Sequence, residues 1–214
     1  NYNLGIEYYR RGALDRAIFH YGRAVRILPW NGLYRSNLGE AYVRKGEFDR
    51  AIAEFTEASR LDPDRPAGFI NLASAHLARG APAKALESLF IARELEPRDW
   101  RVHFNLGDAF LASGELDRAA PAYESAARLH PGHWPIWNRL GTVHLKRKEY
   151  RLAENDFRNA IRLFPSGKEA YNNLGLALAA LGEKSAAEEA YREALRIDPD
   201  YSLARNNLQR LLAQ

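Results

Sequence analysis

The chain has 214 residues, 31 Lys and Arg against 27 Asp and Glu for a net charge of +4, 46% hydrophobic residues, and neither cysteine nor methionine. The lack of cysteine excludes a thiolate nucleophile, a disulfide framework and any Cys-ligated zinc or iron–sulfur centre, and it leaves the redox compartment open. Charges of both signs are interspersed throughout, the pattern of a solvated mixed surface rather than a nucleic-acid footprint, and no run of 18 apolar residues is present to span a membrane.

Proline recurs every 34 residues, at Pro29, Pro63, Pro97, Pro131, Pro165 and Pro199. A fixed period of this length marks repeated supersecondary units. Placing each proline at position 32 divides the chain into residues 1–31, 32–65, 66–99, 100–133, 134–167 and 168–201, with 202–214 left over. Position 20 is then alanine in all six units (Ala17, Ala51, Ala85, Ala119, Ala153, Ala187), and so is position 27 (Ala24, Ala58, Ala92, Ala126, Ala160, Ala194). Position 7 is always leucine, position 8 is glycine except for Ala73, and position 24 is a large residue, Tyr21, Phe55, Leu89, Tyr123, Phe157 or Tyr191.

In chain order, the first unit enters at position 4 with Asn1, already inside a helical pattern. Gly12 marks its turn, and a second periodic segment ends before Pro29. The second unit reads Tyr34 to Val43 as a first helix, Gly46 as the turn and Pro63 as the stop. The third and fourth repeat this with Gly80 and Gly114, and Pro121 is read in the first turn of its helix, where a missing N–H is tolerated. In the fifth, Pro135 falls near a helix start and Lys148 replaces the turn glycine, a cost of about 1 kcal/mol if that residue takes a positive φ. The sixth has Gly182. Beyond Pro199, the segment Ser202 to Gln214 starts a seventh first helix with Leu208 at position 7 and no partner, and is expected to cap the last apolar face. A chain without methionine that starts in mid-helix is expected to be a piece of a longer protein, so targeting signals and further domains are not legible in it.

Small residues at positions 8, 20 and 27 allow two helices to approach closely, and large ones at 7, 11 and 24 fill the groove between them, which makes an antiparallel helix pair. This register resembles the tetratricopeptide repeat family over the whole chain. The resemblance implies an all-α fold, a right-handed superhelical α-solenoid of helix-turn-helix repeats whose concave face is lined mainly by the first helix of each unit.

Catalytic chemistry is not expected. His76 and His144 take the core slot at position 11, and His130 and His133 flank a Pro-Gly turn without the partners a built metal site needs. There is no Gly-rich phosphate loop, no G-x-S-x-G and no H-E-x-x-H, so the chain is read as non-enzymatic, with no cofactor and no metal.

Recognition is the remaining function. Among the positions that the family exposes inside the superhelix, position 6 reads Asn3, Asn37, Asn71, Asn105, Arg139, Asn173 and Asn207. An asparagine amide offers an acceptor and two donors, so it engages a peptide backbone whatever its side chains. With helices packed about 8–10 Å apart and an extended chain rising about 3.3 Å per residue, successive amides meet a peptide roughly every three residues. The arrangement is similar to the asparagine ladder of the repeat domain of O-linked N-acetylglucosamine transferases. Its alternative is that these amides bond only to neighbours and water.

Arg139, with Asn138, Thr142 and Lys146 beside it and Arg101 from the preceding unit, is a candidate cluster for an acidic group. Ile70 and Phe104 at position 5, with Leu77, Leu111 and Leu145 at position 12, form a candidate apolar strip for spaced apolar ligand residues. The two-carboxylate clamp of the chaperone-binding subset of the family is matched only at Asn105 and Arg139, with Ile70, Ser74 and Pro135 departing, so heat-shock chaperone tails are not expected ligands. The expected function is a scaffold binding an extended segment of a partner protein. Its rivals are a substrate-recruiting arm of a larger enzyme such as a glycosyltransferase, a membrane-anchored assembly factor, and self-association through the open N-terminal end. Nucleic acid is not an expected partner, nor is a membrane contact by this part of the chain.

Overall fold

A computed structural model describes residues 1–213. Packing divides the chain into two compact units, Asn1–Ser113 and Gly114–Gln214. In the first, α1 (Tyr2–Arg10) pairs with α2 (Leu14–Ile27), α3 (Gly32–Lys45) with α4 (Phe48–Leu61) and α5 (Pro66–Ala78) with α6 (Pro82–Leu95), and α7 (Trp100–Ala112) follows. In the second, α8 (Leu116–Leu129) is followed by the pairs α9 (Trp134–Lys146) with α10 (Tyr150–Leu163) and α11 (Lys168–Ala180) with α12 (Lys184–Ile197), and then by α13 (Ser202–Leu212). Within each unit every helix packs on the next, and first helices of successive pairs also touch, α3 on α5 on α7 in one unit and α9 on α11 on α13 in the other. The fold is an all-α solenoid, and the face built by these first helices is the one that the repeated polar positions occupy.

Close approach within a pair comes from position 8. A Cβ built on Gly39 would lie 2.7 Å from the Phe55 ring, and one on Gly175 would lie 2.5 Å from Tyr191, so the ring at position 24 rests directly on the glycine backbone. The third unit changes both members, with Ala73 at position 8 and the smaller Leu89 at position 24, and buries both completely. The alanines at positions 20 and 27 are buried in every unit. At the C-terminal end, Leu211 and Leu208 of α13 pack on the core that Leu174, Leu178 and Tyr191 form. At position 7, Leu4 is 45% exposed whereas its equivalents Leu38 and Leu140 are each 4% exposed.

The turns are closed by the backbone. Gly46 has φ of 80°, its N–H bonds to Val43 O at 3.0 Å and the Glu47 N–H to Tyr42 O at 2.9 Å. Lys148 reproduces this turn with φ of 61° and the equivalent bonds to Leu145 O at 3.1 Å and His144 O at 2.9 Å. Lysine therefore takes the left-handed conformation that the repeat imposes. Pro121 departs from expectation: α8 starts at Leu116, which puts the proline in the second turn, where it has no N–H for the Asp117 carbonyl.

A further recurrence holds successive pairs together. The side chain at position 4 donates to the carbonyl of the boundary proline six residues earlier: Arg35 Nε to Pro29 O at 2.9 Å, Trp137 Nε1 to Pro131 O at 2.8 Å and a terminal nitrogen of Arg205 to Pro199 O at 2.6 Å. His103 Nε2 lies 2.8 Å from Pro97 O in the same relation. Three different residue types thus satisfy one carbonyl.

Candidate functional site

Position 6 lies on the first-helix face in both units, but most of its amides already have partners within the protein. In the second unit, Asn207 Nδ2 donates to Asn172 Oδ1 at 2.9 Å, Asn172 Nδ2 to Asn173 Oδ1 at 3.3 Å, and Asn173 Nδ2 to Asn138 Oδ1 at 3.3 Å. Four side-chain amides form a continuous relay across α13, α11 and α9, and each bond in it polarises the next. Its logic is a pairing of position 6 with position 5 of the unit before, 35 residues earlier. Asn37 follows the same rule in the first unit, donating Nδ2 to the Tyr2 hydroxyl at 2.5 Å.

Where position 5 cannot accept, the pattern shifts. The predecessor of Asn105 is Ile70, and Asn105 instead donates to its own helix at Arg101 O (2.8 Å), while the Ser74 hydroxyl lies 3.2 Å from Asn105 Oδ1 and 3.0 Å from Ile70 O. Asn71 is different. Its amide makes no side-chain hydrogen bond within the described residues and opens on a cleft of about 190 Å³ between α3, α5 and the end of α4. The cleft is lined by Ser36, Asn37, Glu40, Asp62 and Arg65 together with Asn71. Asn37 lines the cleft with one of its amide N–H groups given to Tyr2, and its carbonyl oxygen makes no side-chain hydrogen bond within the described residues. Glu40, half-buried at position 9, has no ion pair or hydrogen bond within the described residues, and burial pushes its carboxyl above the ordinary glutamate range.

The apolar strip and the basic cluster are placed as follows. Ile70 is 7% exposed and belongs to the buried core of the first unit. Phe104 and Leu111 are half-buried on α7. The Arg101 guanidinium grips the buried Asp99 through Nε at 3.0 Å to both carboxylate oxygens and a terminal nitrogen at 2.6 Å, and Asp99 caps α7 by accepting from the Arg101 N–H at 2.8 Å. Burial drives the Asp99 carboxyl up, but the Arg101 bonds together outweigh it and hold it below the usual aspartate range. Arg139 and Lys146 are exposed on α9, and the Thr142 hydroxyl beside them donates to Asn138 O at 2.8 Å.

The histidines occupy two settings. His144 is buried, with Nδ1 2.6 Å from Asp156 Oδ2, an oriented pair joining α9 to α10. His130 and His133 sit at the turn before α9 with ring centroids 5.9 Å apart. Among the described residues, no three His, Asp or Glu side chains are grouped to hold a metal ion. No helix among them is long and apolar enough to cross a membrane.

The tetratricopeptide repeat model matches residues 36–91, 85–133 and 138–202. Among solved structures, the Cut9–Hcn1 hetero-tetramer of APC/C aligns with a TM-score of 0.85 and 21% identity, over 97% of this chain and 41% of that one. The chain thus spans about two fifths of that relative. YrrB, described as a repeat protein of this kind with an unusual peptide-binding site, aligns at 0.68 with 18% identity, over 87% of this chain and 96% of its own. The first repeat domain of Spaghetti (RPAP3), bound to the HSP90 peptide SRMEEVD, aligns at 0.52 with 24% identity, over 54% of this chain and 94% of its own. These likenesses establish a shared fold. No curated protein matches the chain.

Proposed function

The chain belongs to the tetratricopeptide repeat family, and from that premise we propose that it binds an extended segment of a partner protein along its first-helix face. A family built for interaction through stacked helix pairs makes protein association its general role. Asn71 carries the particular reading. An amide on that face with all its hydrogen-bonding capacity unused, beside Asn37 in the lining of the same cleft, suits a peptide backbone that supplies one donor and one acceptor per residue. The peptide ligands named for YrrB and for the Spaghetti domain support the reading as properties of those relatives.

The ladder is shorter than its asparagine count suggests. Asn105, Asn173 and Asn207 act first as struts between or within helices. The working contacts are therefore assigned to Asn37 and Asn71, with the other positions shaping the surface.

Capture from a lysate of the source cells, with the wild-type chain and with Asn71→Ala side by side, tests this. Because Asn71 holds no protein bond, both proteins should melt within about 0.5 kcal/mol of each other. Partners lost from Asn71→Ala alone are the expected result. Partners retained equally by both place the contact elsewhere and refute the assignment.

A further inference from the structure

The cleft at Asn71 contains a group that the backbone-binding reading does not use. Glu40 is a half-buried carboxylate left without a partner, and a second carboxylate, Asp62, stands at the rim with Arg65. Arg65 forms no ion pair with either of them. The lining therefore carries two negative charges and one positive, and Asn37 and Glu40, whose side-chain oxygens have no hydrogen-bond partner within the described residues, line the same small volume. The phenols near Glu40 do not offset its charge. The Tyr2 hydroxyl oxygen accepts from Asn37 and carries no charge, and the Tyr21 hydroxyl is pushed up to about 12 by burial and by the neighbouring Tyr2 and Glu40, so it too stays neutral.

A desolvated carboxylate without a counter-charge destabilises the free protein, and groups retained in that state are commonly matched by a ligand. A metal ion is a poor match, since no set of three anionic or imidazole ligands is present among the described residues. An ammonium or guanidinium is a good one, because it brings one positive charge and several donors to acceptors that lack them.

We infer that the α3–α5 cleft is a receptor for a basic side chain, lysine or arginine, of the bound partner segment, with Glu40 as its counter-charge and the Asn37 carbonyl as a second acceptor. Asn71 then holds the backbone next to that residue. The inference rests on the peptide-binding reading above and adds the sign of the charge selected. That sign is opposite to what the carboxylate clamp of the chaperone-binding members would select.

Pools of 12-residue peptides, random except for a central Lys, Arg, Gln or Glu, provide the probe. Each pool is tested for retention on the wild-type chain, on Glu40→Gln and on Asn71→Ala. The Lys and Arg pools should be retained about tenfold better than the Gln and Glu pools, with the preference falling in high salt. Glu40→Gln should abolish that preference, leaving the four pools retained alike. Equal retention of all four pools, reduced throughout by Asn71→Ala, would overturn the basic-residue assignment and leave peptide binding standing. A basic preference that Glu40→Gln does not change would overturn it too. Retention of no pool would overturn peptide binding at this face together with the inference. Glu40→Gln preserves shape and removes a buried charge, so a folding failure does not confound the comparison.

Discussion

Lys148 stands where the other five turns use glycine, and its φ of 61° places a Cβ in the left-handed region. The turn's two backbone bonds are intact, so the strain is confined to the residue. Lys148→Gly is expected to stabilise the protein by about 1 kcal/mol, read from chemical denaturation. An unchanged or lower stability would mean that lysine's lower unfolded-state entropy already offsets the strain. Glu40 makes the second prediction. Its folded pKa is raised by burial, so the native state is favoured when the carboxyl is protonated, and stability is lost as pH rises from the unfolded glutamate value through the raised folded one. Glu40→Gln should therefore raise the melting temperature at pH 7, with the gain vanishing in acid below the ordinary glutamate range. The positive φ of Lys148 was legible in the sequence because five glycines set the rule. The burial of Glu40 was not, since position 9 holds polar, acidic and apolar residues in different units and its environment is made by two other helices.

Two helices show how the elements depend on single contacts. In the pair α9–α10, a Cβ on Gly141 would come within 2.7 Å of the Phe157 ring, which is fully buried and has no room to move. Gly141→Ala should cost about 1–3 kcal/mol, and adding Phe157→Leu should recover part of that loss, as the natural Ala73 and Leu89 combination indicates. Additive costs in the double variant would show that the ring and the glycine do not share the space. In α8, Pro121 interrupts the backbone ladder while facing solvent, so Pro121→Ala should stabilise by as much as about 3 kcal/mol, visible as a higher denaturation midpoint. Glycine against ring followed from the fixed spacing of positions 8 and 24. The position of Pro121 depended on where α8 begins, and no capping residue marked that start: Glu115 makes no side-chain cap.

At the scale of the molecule, the 34-residue period carried the fold, because every repeat buries the same alanines and a large residue at position 24, an aromatic ring in all but the third. The candidate site was legible only as a list of positions. Which asparagines are free depends on the residue 35 places earlier: Tyr2 and Asn138 bind their successors, Ile70 cannot, and Ser36 leaves Asn71 unengaged. The pairing of Arg101 with Asp99, two residues before it, is not marked by the repeat register. The proposed recognition surface thereby narrows from a uniform ladder to one cleft in the first unit.

The central claim is that this first-helix cleft is the contact surface. The measurement that tests it most directly is the affinity of one peptide, selected from a random pool on the wild-type chain, for three proteins: wild type, Asn71→Ala, and Thr56→Ala. Thr56 is exposed on α4, a second helix. Loss of about 1–3 kcal/mol of binding in Asn71→Ala alone is the predicted result. Full affinity in Asn71→Ala with loss in Thr56→Ala would contradict it, placing recognition on the second helices.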